Sequence, residues 1–366
     1  MTATLPDVAR VAPPPPPRPW FDRLRGPAVF TAIAVLALVV APLLLEPFRL
    51  GLLAKYLCYA IVALGIGLAW GQGGMLTLGQ GVFFGLGGYA MGMYLKLHDA
   101  AGDLPDFMVW SGVESLPALW VPFANPVFAV AFAIVGPVVL AVLLGALVFR
   151  QRVRGAYFAI LTQALAAAVV ILLIGQQGLT GGTNGLTNFF ELFGQDLAVE
   201  NTQRGLYIVV ALVLGLLYLV AWQLVRSRFG RLLIAVRDGE DRVRFLGYNP
   251  ATVKTITFAV SAGMAGLAGA LFVPVVGIIS PALLGVVPSL ELVVAVAIGG
   301  RFSLAGAVLG AVVMGYAKTS FSEEFADGWL YLQGALFILV MTLAPKGIFG
   351  IASSVRGLVR SRRVRA

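Results

Sequence analysis

Few residues in this 366-residue chain can do covalent or acid–base chemistry. It has one histidine, His98, and one cysteine, Cys58, so neither a disulfide nor a thiolate cluster can form within it. It contains no HExxH pair, nucleophile elbow or GxxxxGK[ST] phosphate loop, and no acidic pair is spaced for a metal. The polar groups that interrupt apolar sequence are amides, hydroxyls and one carboxylate: Gln80, Thr162, Gln163, Thr180, Asn184 and Glu291. Such groups can hydrogen-bond a passing solute without changing it, and they can equally join one helix to another. Glu291 follows Pro288 and is read either as lining a path or as an acidic residue in a helix's first turn, where the helix dipole favours it. This inventory points to a protein that moves something, with no catalytic residue, cofactor or metal of its own.

One stretch stands apart, "SRFGRLLIAVRDGEDRVRFLGYNP", residues 227–250. Leu232, Leu233 and Val236 fall on one helical face, with Arg231, Arg237 and Asp238 away from it. Val243, Phe245 and Leu246 make a second apolar cluster, Gly230 and Gly239 punctuate the pieces, and "GYNP" ends the run. Short amphipathic helices of this kind suit a groove on a soluble partner. A loop that only binds lipid headgroups is the plainer alternative.

The elements that must position these residues are membrane helices. The chain is 59% hydrophobic and 12% charged, against about 25% charged in an ordinary soluble protein. Its mean hydropathy is +0.92. A net charge of +9 does not indicate nucleic acid here, because the arginines gather in a few short loops. Apolar runs long enough to span, or nearly so, lie at 28–45, 50–70, 81–97, 127–149, 155–175, 205–225, 254–278 and 329–344, with a longer apolar region at 289–318. Residues 1–27, with the run "APPPPPRPW", read as an extended cytoplasmic tail, and 28–45 as an uncleaved first span.

Loop charge sets the expected orientation. Residues 98–126 hold Asp99, Asp103, Asp106 and Glu114 without Lys or Arg, and 176–203 hold Glu191, Asp196 and Glu200 likewise. Arg150, Arg152 and Arg154 occupy another loop, residues 226–244 hold six arginines, and 351–366 form a basic tail. Lys/Arg-rich loops stay in the cytoplasm, which places both termini, 150–154 and 226–253 inside. Parity then requires region 289–318 to break at "IGGRFSLAG", giving a short element at 289–298 and a helix at 304–318. The expected fold is an all-α integral membrane bundle of about ten segments, one of them short or broken. Small residues at i, i+4 spacing, in Gly81–Gly85 with Gly88–Gly92, in Ser261–Ala265–Gly269 and in Gly306–Gly310, predict close helix contacts.

Taken together, "WGQGGMLTLGQGVFFGLGGYAMGMYL", "RVRGAYFAILTQAL", "LTGGTNGLTNF", the 227–250 stretch and "VAIGGRFSLAGAVLGA" resemble the permease subunits of branched-chain amino-acid and urea ABC importers. They run in family order over about 50–350, and "GDLPDFMVW", "LPALW" and "ILTQAL" look more like the urea-type branch. One departure is Gln80, where the family commonly has His. The resemblance implies a permease domain over 28–350, a second homologous permease, two cytosolic ATPases, a periplasmic binding protein and a bacterial inner membrane. It makes urea the expected substrate, with a branched-chain amino acid or short amide as the alternative, and a secondary carrier or channel as the rival class. It implies that 227–250 couples to an ATPase through Arg231, Leu232, Leu233, Arg237, Asp238, Arg242, Phe245, Leu246 and Gly247. Gln80, Thr162, Gln163, Asn184 and Glu291 are the expected path residues.

Overall fold

The computed structural model describes residues 41–324 and 328–343. The proline-rich tail, most of the expected span 28–45 and the basic tail 351–366 lie outside the described residues. The described chain is mostly helical, with four two-residue strands. Helix α1 (Pro47–Ile66) runs on into a π-helical turn, Gly67–Gln72, and an irregular stretch leads to α2 (Gln80–Asp99). The short helix α3 (Asp106–Trp110) precedes α4 (Pro126–Arg150) and α5 (Ala156–Gly175). The single turn α6 (Gln177–Thr180) leads to β1 (Leu186–Thr187) and a small hairpin, β2 (Glu191–Leu192) with β3 (Gln195–Asp196). Then come α7 (Glu200–Arg226), α8 (Arg228–Phe245) and α9 (Pro250–Val276). Strand β4 (Ile278–Ile279) pairs antiparallel with β1, and is followed by α10 (Pro281–Leu284), α11 (Val286–Gly299), α12 (Leu304–Glu324) and α13 (Trp329–Leu343).

Six described helices are long and apolar enough to cross a membrane, so this is a multi-pass membrane protein. They include α1 with its π turn, α4, α5, α7, α9 and most of α12. The most apolar windows of α1 and α9 are 72% buried, whereas those of α4, α5 and α7 are 22% buried. The first pair therefore forms the centre, and the other three present apolar side chains outward, as lipid requires. Helix α2 is just as central: sixteen of its twenty residues are buried. Its glycines make it less apolar than its neighbours, and it is not among the six.

The expected break at 298–306 is present. Helix α11 ends at Gly299, Gly300 takes φ 113°, and α12 starts at Leu304. The short element is longer than expected, fourteen residues against ten, because the turn begins at Val286 and not at Ser289. Tight backbone crossings hold the core, as small residues allow. A Cβ on Gly269 would lie 1.8 Å from the Phe84 carbonyl oxygen, and one on Gly87 would lie 1.8 Å from that of Gly266. The α2–α9 crossing thus uses Gly87, which the i, i+4 pattern passes over. Gly81 and Gly85 instead face Leu284 of α10, and Gly88 and Gly92 face Ile279 of β4. Side chains in the glycine row would displace the segment 278–284, made of β4 and the single turn α10, in which Ile279, Ser280, Pro281 and Leu284 are buried.

Candidate functional site at the charged end of the bundle

Helix α8 begins where Ser227 Oγ accepts the Gly230 N–H at 3.2 Å, an N-cap. It bends at Gly239, whose φ of −166° and ψ of 70° are not helical, so the stretch is two short helices in line. It ends at Phe245, and α9 opens with Asn249 capping Ala251 at 3.0 Å and Pro250 in the first turn. The sequence therefore punctuates as its glycines and "GYNP" indicated.

The apolar residues of α8 divide into two sets with different tasks. Leu233 (0% exposed), Val236 and Val243 are buried with Val253 of α9, and Phe229 and Leu232 pack against them. Phe245 and Leu246, 93% and 76% exposed, point away from the bundle with half-exposed Tyr248 beside them. This corrects two sequence expectations. Leu233 is occupied within the chain and is not free to enter a partner's groove, and Val243 does not belong with Phe245 and Leu246. Arg231, Asp238, Arg242 and Gly247 are also exposed.

Charge fixes α8 from both sides. Glu240, its side chain 10% exposed, meets Lys254 of α9 at 2.6 Å, Arg154 of the α4–α5 loop at 3.1 Å and Arg244 at 3.1 Å. Arg154 also reaches Asp241 at 2.9 Å. That hydrogen bond holds the Asp241 carboxyl below its usual pKa and raises the Arg154 guanidinium. Glu240 and Lys254 were absent from the candidate set. The available signal was a carboxylate one residue after the Gly239 bend, with a cation in the first turn of the next helix.

Arg237 turns the other way. Its Nη1 donates to the Gly71 carbonyl in the π turn at 2.8 Å, its guanidinium lies 5.4 Å from the Phe302 ring, and Asp238 pairs with it at 2.8 Å. Leu233 reaches the same turn: a Cβ on Gly73 would sit 3.3 Å from Leu233 Cδ1. Arg301 closes the arrangement, 5.2 Å from Trp70 and 4.8 Å from Phe302, with its carbonyl so near Gly71 that a Cβ there would fall 1.7 Å away. One helix thus touches the α1 π turn, the 300–303 break, the α4–α5 loop and α9.

The family model of the branched-chain amino acid transport system permease component matches residues 48–341. The chain belongs to that permease family. Over 339 residues it is 28% identical to the LivM permease protein of Salmonella typhimurium and 27% to that of Escherichia coli, covering 86% of this chain and 73% of each relative. Over 302 residues it is 26% identical to the Salmonella typhimurium LivH permease protein, covering 80% and 91%. All three are named as high-affinity branched-chain amino acid transport permeases. No solved structure matches.

In this permease the expected path residues do not form one cluster. Gln80, 1% exposed, donates from Nε2 to Ser261 Oγ of α9 at 3.0 Å, and its Oε1 is buried without a partner among the described residues. The next residue's N–H meets Ser289 Oγ of α11 at 3.3 Å, so Gln80 starts a polar node joining α2, α9 and α11. Thr162 of α5 accepts the Leu78 N–H at 3.0 Å and so secures the stretch just before that node. Gln163, its neighbour, is half-buried and makes no side-chain hydrogen bond among the described residues. Thr180 donates to the Leu173 and Gln176 carbonyls and is satisfied locally. Asn184 is exposed at the opposite end of the bundle from α8. Glu291 sits one turn into α11 and pairs with Lys318 of α12 at 2.7 Å.

Proposed function

We propose that this chain is one permease half of an ATP-driven importer that carries aliphatic amino acids across a bacterial inner membrane. The observation that carries the reading is α8: an exposed Phe245–Leu246 pair at the tip of a helix whose inner face is wedged against the π turn and the α11–α12 break. A secondary carrier has no use for such a helix. An importer with detached ATPases needs a surface to receive them and a rigid connection from that surface to the spans. In this reading the ATPase takes Phe245 and Leu246, with Arg231, Arg242 and Gly247 at the rim. Leu233, Val236 and Arg237 pass its movement to Gly71–Gly74, and Asp238 holds Arg237 in place.

The charged end is cytoplasmic on the positive-inside argument. Both termini lie there, and α2, α11 and α13, with the span expected at 28–45, join the six long helices to give about ten segments. A LivH-like second permease completes the membrane unit, two ATPases drive it and a periplasmic binding protein supplies solute. An aliphatic amino acid replaces urea as the leading substrate because LivM, LivH and BraD relatives all carry that designation. Urea rested on the resemblance of "GDLPDFMVW", "LPALW" and "ILTQAL" and on the neutral amides and hydroxyls in the spans. In the structure, Asp106 of "GDLPDFMVW" is engaged by Lys96, which gives urea no particular support.

Uptake decides the substrate. Deleting the gene should abolish saturable uptake of labelled L-leucine from dilute medium and leave urea uptake unchanged; loss of urea or short-amide uptake with leucine uptake intact would overturn the assignment. Cysteines at Gly102 and Gly239, in a Cys58→Ala background, test orientation. The first should react with an impermeant thiol reagent in intact cells, and the second only after the membrane is opened.

A further inference from the structure

At the end of the bundle away from α8, residues of α2, α3, α6 and the 181–187 segment line a small polar cavity of about 90 Å³. Its lining includes Lys96, Asp106, Trp110, Gln177, Asn184 and Thr187. We propose that this cavity holds the zwitterionic head group of an α-amino acid as it enters the permease. The proposal rests on the transport reading above and adds a site and a recognition chemistry to it.

Lys96 carries the argument. It lies in the last turn of α2 and is 5% exposed, a rare place for an ammonium. Asp106 contacts it with both carboxylate oxygens at 2.9 Å, and the Asn188 carbonyl accepts a third contact at 3.3 Å. Three acceptors, the two Asp106 oxygens and the Asn188 carbonyl, surround the three N–H groups, and the Phe189 ring lies 5.9 Å from Nζ, so a ligand carboxylate would take over one of these contacts. Asp106 is a third exposed and keeps acceptor capacity on its open side. A fixed cation and a fixed anion therefore stand side by side, matching a ligand whose carboxylate and ammonium are both bonded to one carbon. The side chains of Gln177, Asn184 and Thr187 make no hydrogen bond among the described residues, so amide and hydroxyl donors face the cavity unspent. Trp110, 78% exposed at the rim, offers an apolar surface to the aliphatic part.

The cavity walls are held tightly enough to keep this geometry. Gly181 and Gly185 have φ of 75° and 72°. A Cβ on Gly185 would come 2.1 Å from the Ile279 carbonyl, so the loop lies directly on β4. Asp99 accepts the Phe190 and Glu191 N–H groups at 3.0 and 3.2 Å, and Trp120 Nε1 donates to the Leu179 carbonyl at 2.9 Å. Lys96 and Asp106 neutralise each other in the structure, and a neutral solute such as urea brings neither the carboxylate that would add to the Lys96 side nor the ammonium that would add to the Asp106 side. The pair therefore selects for a zwitterion.

The test uses the complete importer in right-side-out vesicles, with Asn184→Cys in the Cys58→Ala background and an impermeant thiol reagent. L-Leucine should slow labelling, whereas urea, leucinamide (cation only) and 4-methylpentanoate (anion only) should not. Lys96→Met should weaken leucine protection roughly tenfold, the scale of one charge-assisted contact. Thr187→Val with Gln177→Leu, which spares the ion pair, should weaken it too, so the result does not depend on Lys96→Met folding. Three results would overturn the proposal: no labelling of Asn184→Cys, equal protection by urea, or full leucine protection in the exchanged pair Lys96→Asp with Asp106→Lys. Leucine uptake by the parent importer separates the failures. If uptake is intact and protection absent, only this site is wrong; if uptake is absent, the transport reading itself is wrong.

Discussion

Replacing Phe245 and Leu246 together with alanine tests whether α8 is a docking helix. On the isolated chain the two are 93% and 76% exposed, so nearly all their apolar surface is available to a partner. Burying a side chain of this size contributes about 1.5–3 kcal/mol. Ordering each at an interface costs about 0.5–1.5 kcal/mol. The pair should therefore contribute roughly 2–3 kcal/mol net, or about a 30- to 150-fold change in ATPase affinity. The assay is ATPase binding to the permease pair in nanodiscs, read as Kd, with insertion and thermal stability measured alongside. Because neither side chain packs on the bundle, stability should stay within about 0.5 kcal/mol of the parent. Leu233→Ala is the contrasting control. That residue is fully buried, and Leu→Ala in a core costs about 2–5 kcal/mol. It should loosen α8 and expose the Gly239 bend to protease even with no ATPase present. A change below threefold in the Phe245/Leu246 double variant, with insertion normal, would refute the assignment of the docking surface.

Three further outcomes follow from the same contacts. Arg237→Gln should keep the ATPase bound but lower uptake per ATP hydrolysed, since it removes the 2.8 Å bond to Gly71 and leaves the exposed tip intact; normal coupling would remove Arg237 from the transmission route. Glu291→Gln should lower thermal stability by more than Glu291→Leu with Lys318→Leu, because the single change leaves Lys318 without its counter-charge in a span; the reverse order would exclude a neutralising role. ATPase retention should be flat from about pH 5 to 9. The Asp241 carboxyl is depressed by Arg154, so its contribution is complete above the ordinary carboxylate range and is lost only as acid takes the pH through the lower folded value. Arg154 is raised, so its share disappears only at extreme alkalinity. Faster hydrogen exchange across 228–245 should therefore begin below about pH 4, and a transition near neutrality would contradict the bracing.

The helices were legible because their signals are local. Apolar length located α4, α5, α7 and α9, glycine and "GYNP" divided α8, and the parity of loop charges demanded a break in 289–318 that the chain makes at Gly300. Contacts set by three-dimensional neighbours were not legible. The row Gly81–Gly85–Gly88–Gly92 announces a close approach but not its partner, which is the turn 278–284 and not a spanning helix. Leu233 and Phe245 are both large apolar residues of one amphipathic stretch, but at 100° per residue they stand about 120° apart, and only the fold shows that the Leu233 face meets α9 while Phe245 is left to solvent. Glu240 looked like one charge among many. Its role depends on Arg154 and Lys254, which are distant in sequence and brought to it by the chain's return.

The geometry also gives a physical reason for glycine at the charged end. A movement at α8 can reach the membrane interior only through parts that are stiff in contact and soft in conformation. The π turn meets both needs. Gly71 is pinned between the Arg237 guanidinium and the Arg301 backbone, and a side chain there would overlap the Arg301 carbonyl. The following residues Gly73, Gly74 and Gly79 are free of the φ,ψ limits that a Cβ imposes. Seven residues after Gly73 stands Gln80, with an unpartnered carbonyl oxygen and a single bond to Ser261. A pull on Gly71 that shifts the 73–79 segment would be felt at Gln80 and at its contact with Ser261 of α9. In the proposed reading, residues 73–79 are then the link between α8 and this polar node. That is the arrangement a driven permease requires, and a passive pore has no need of it.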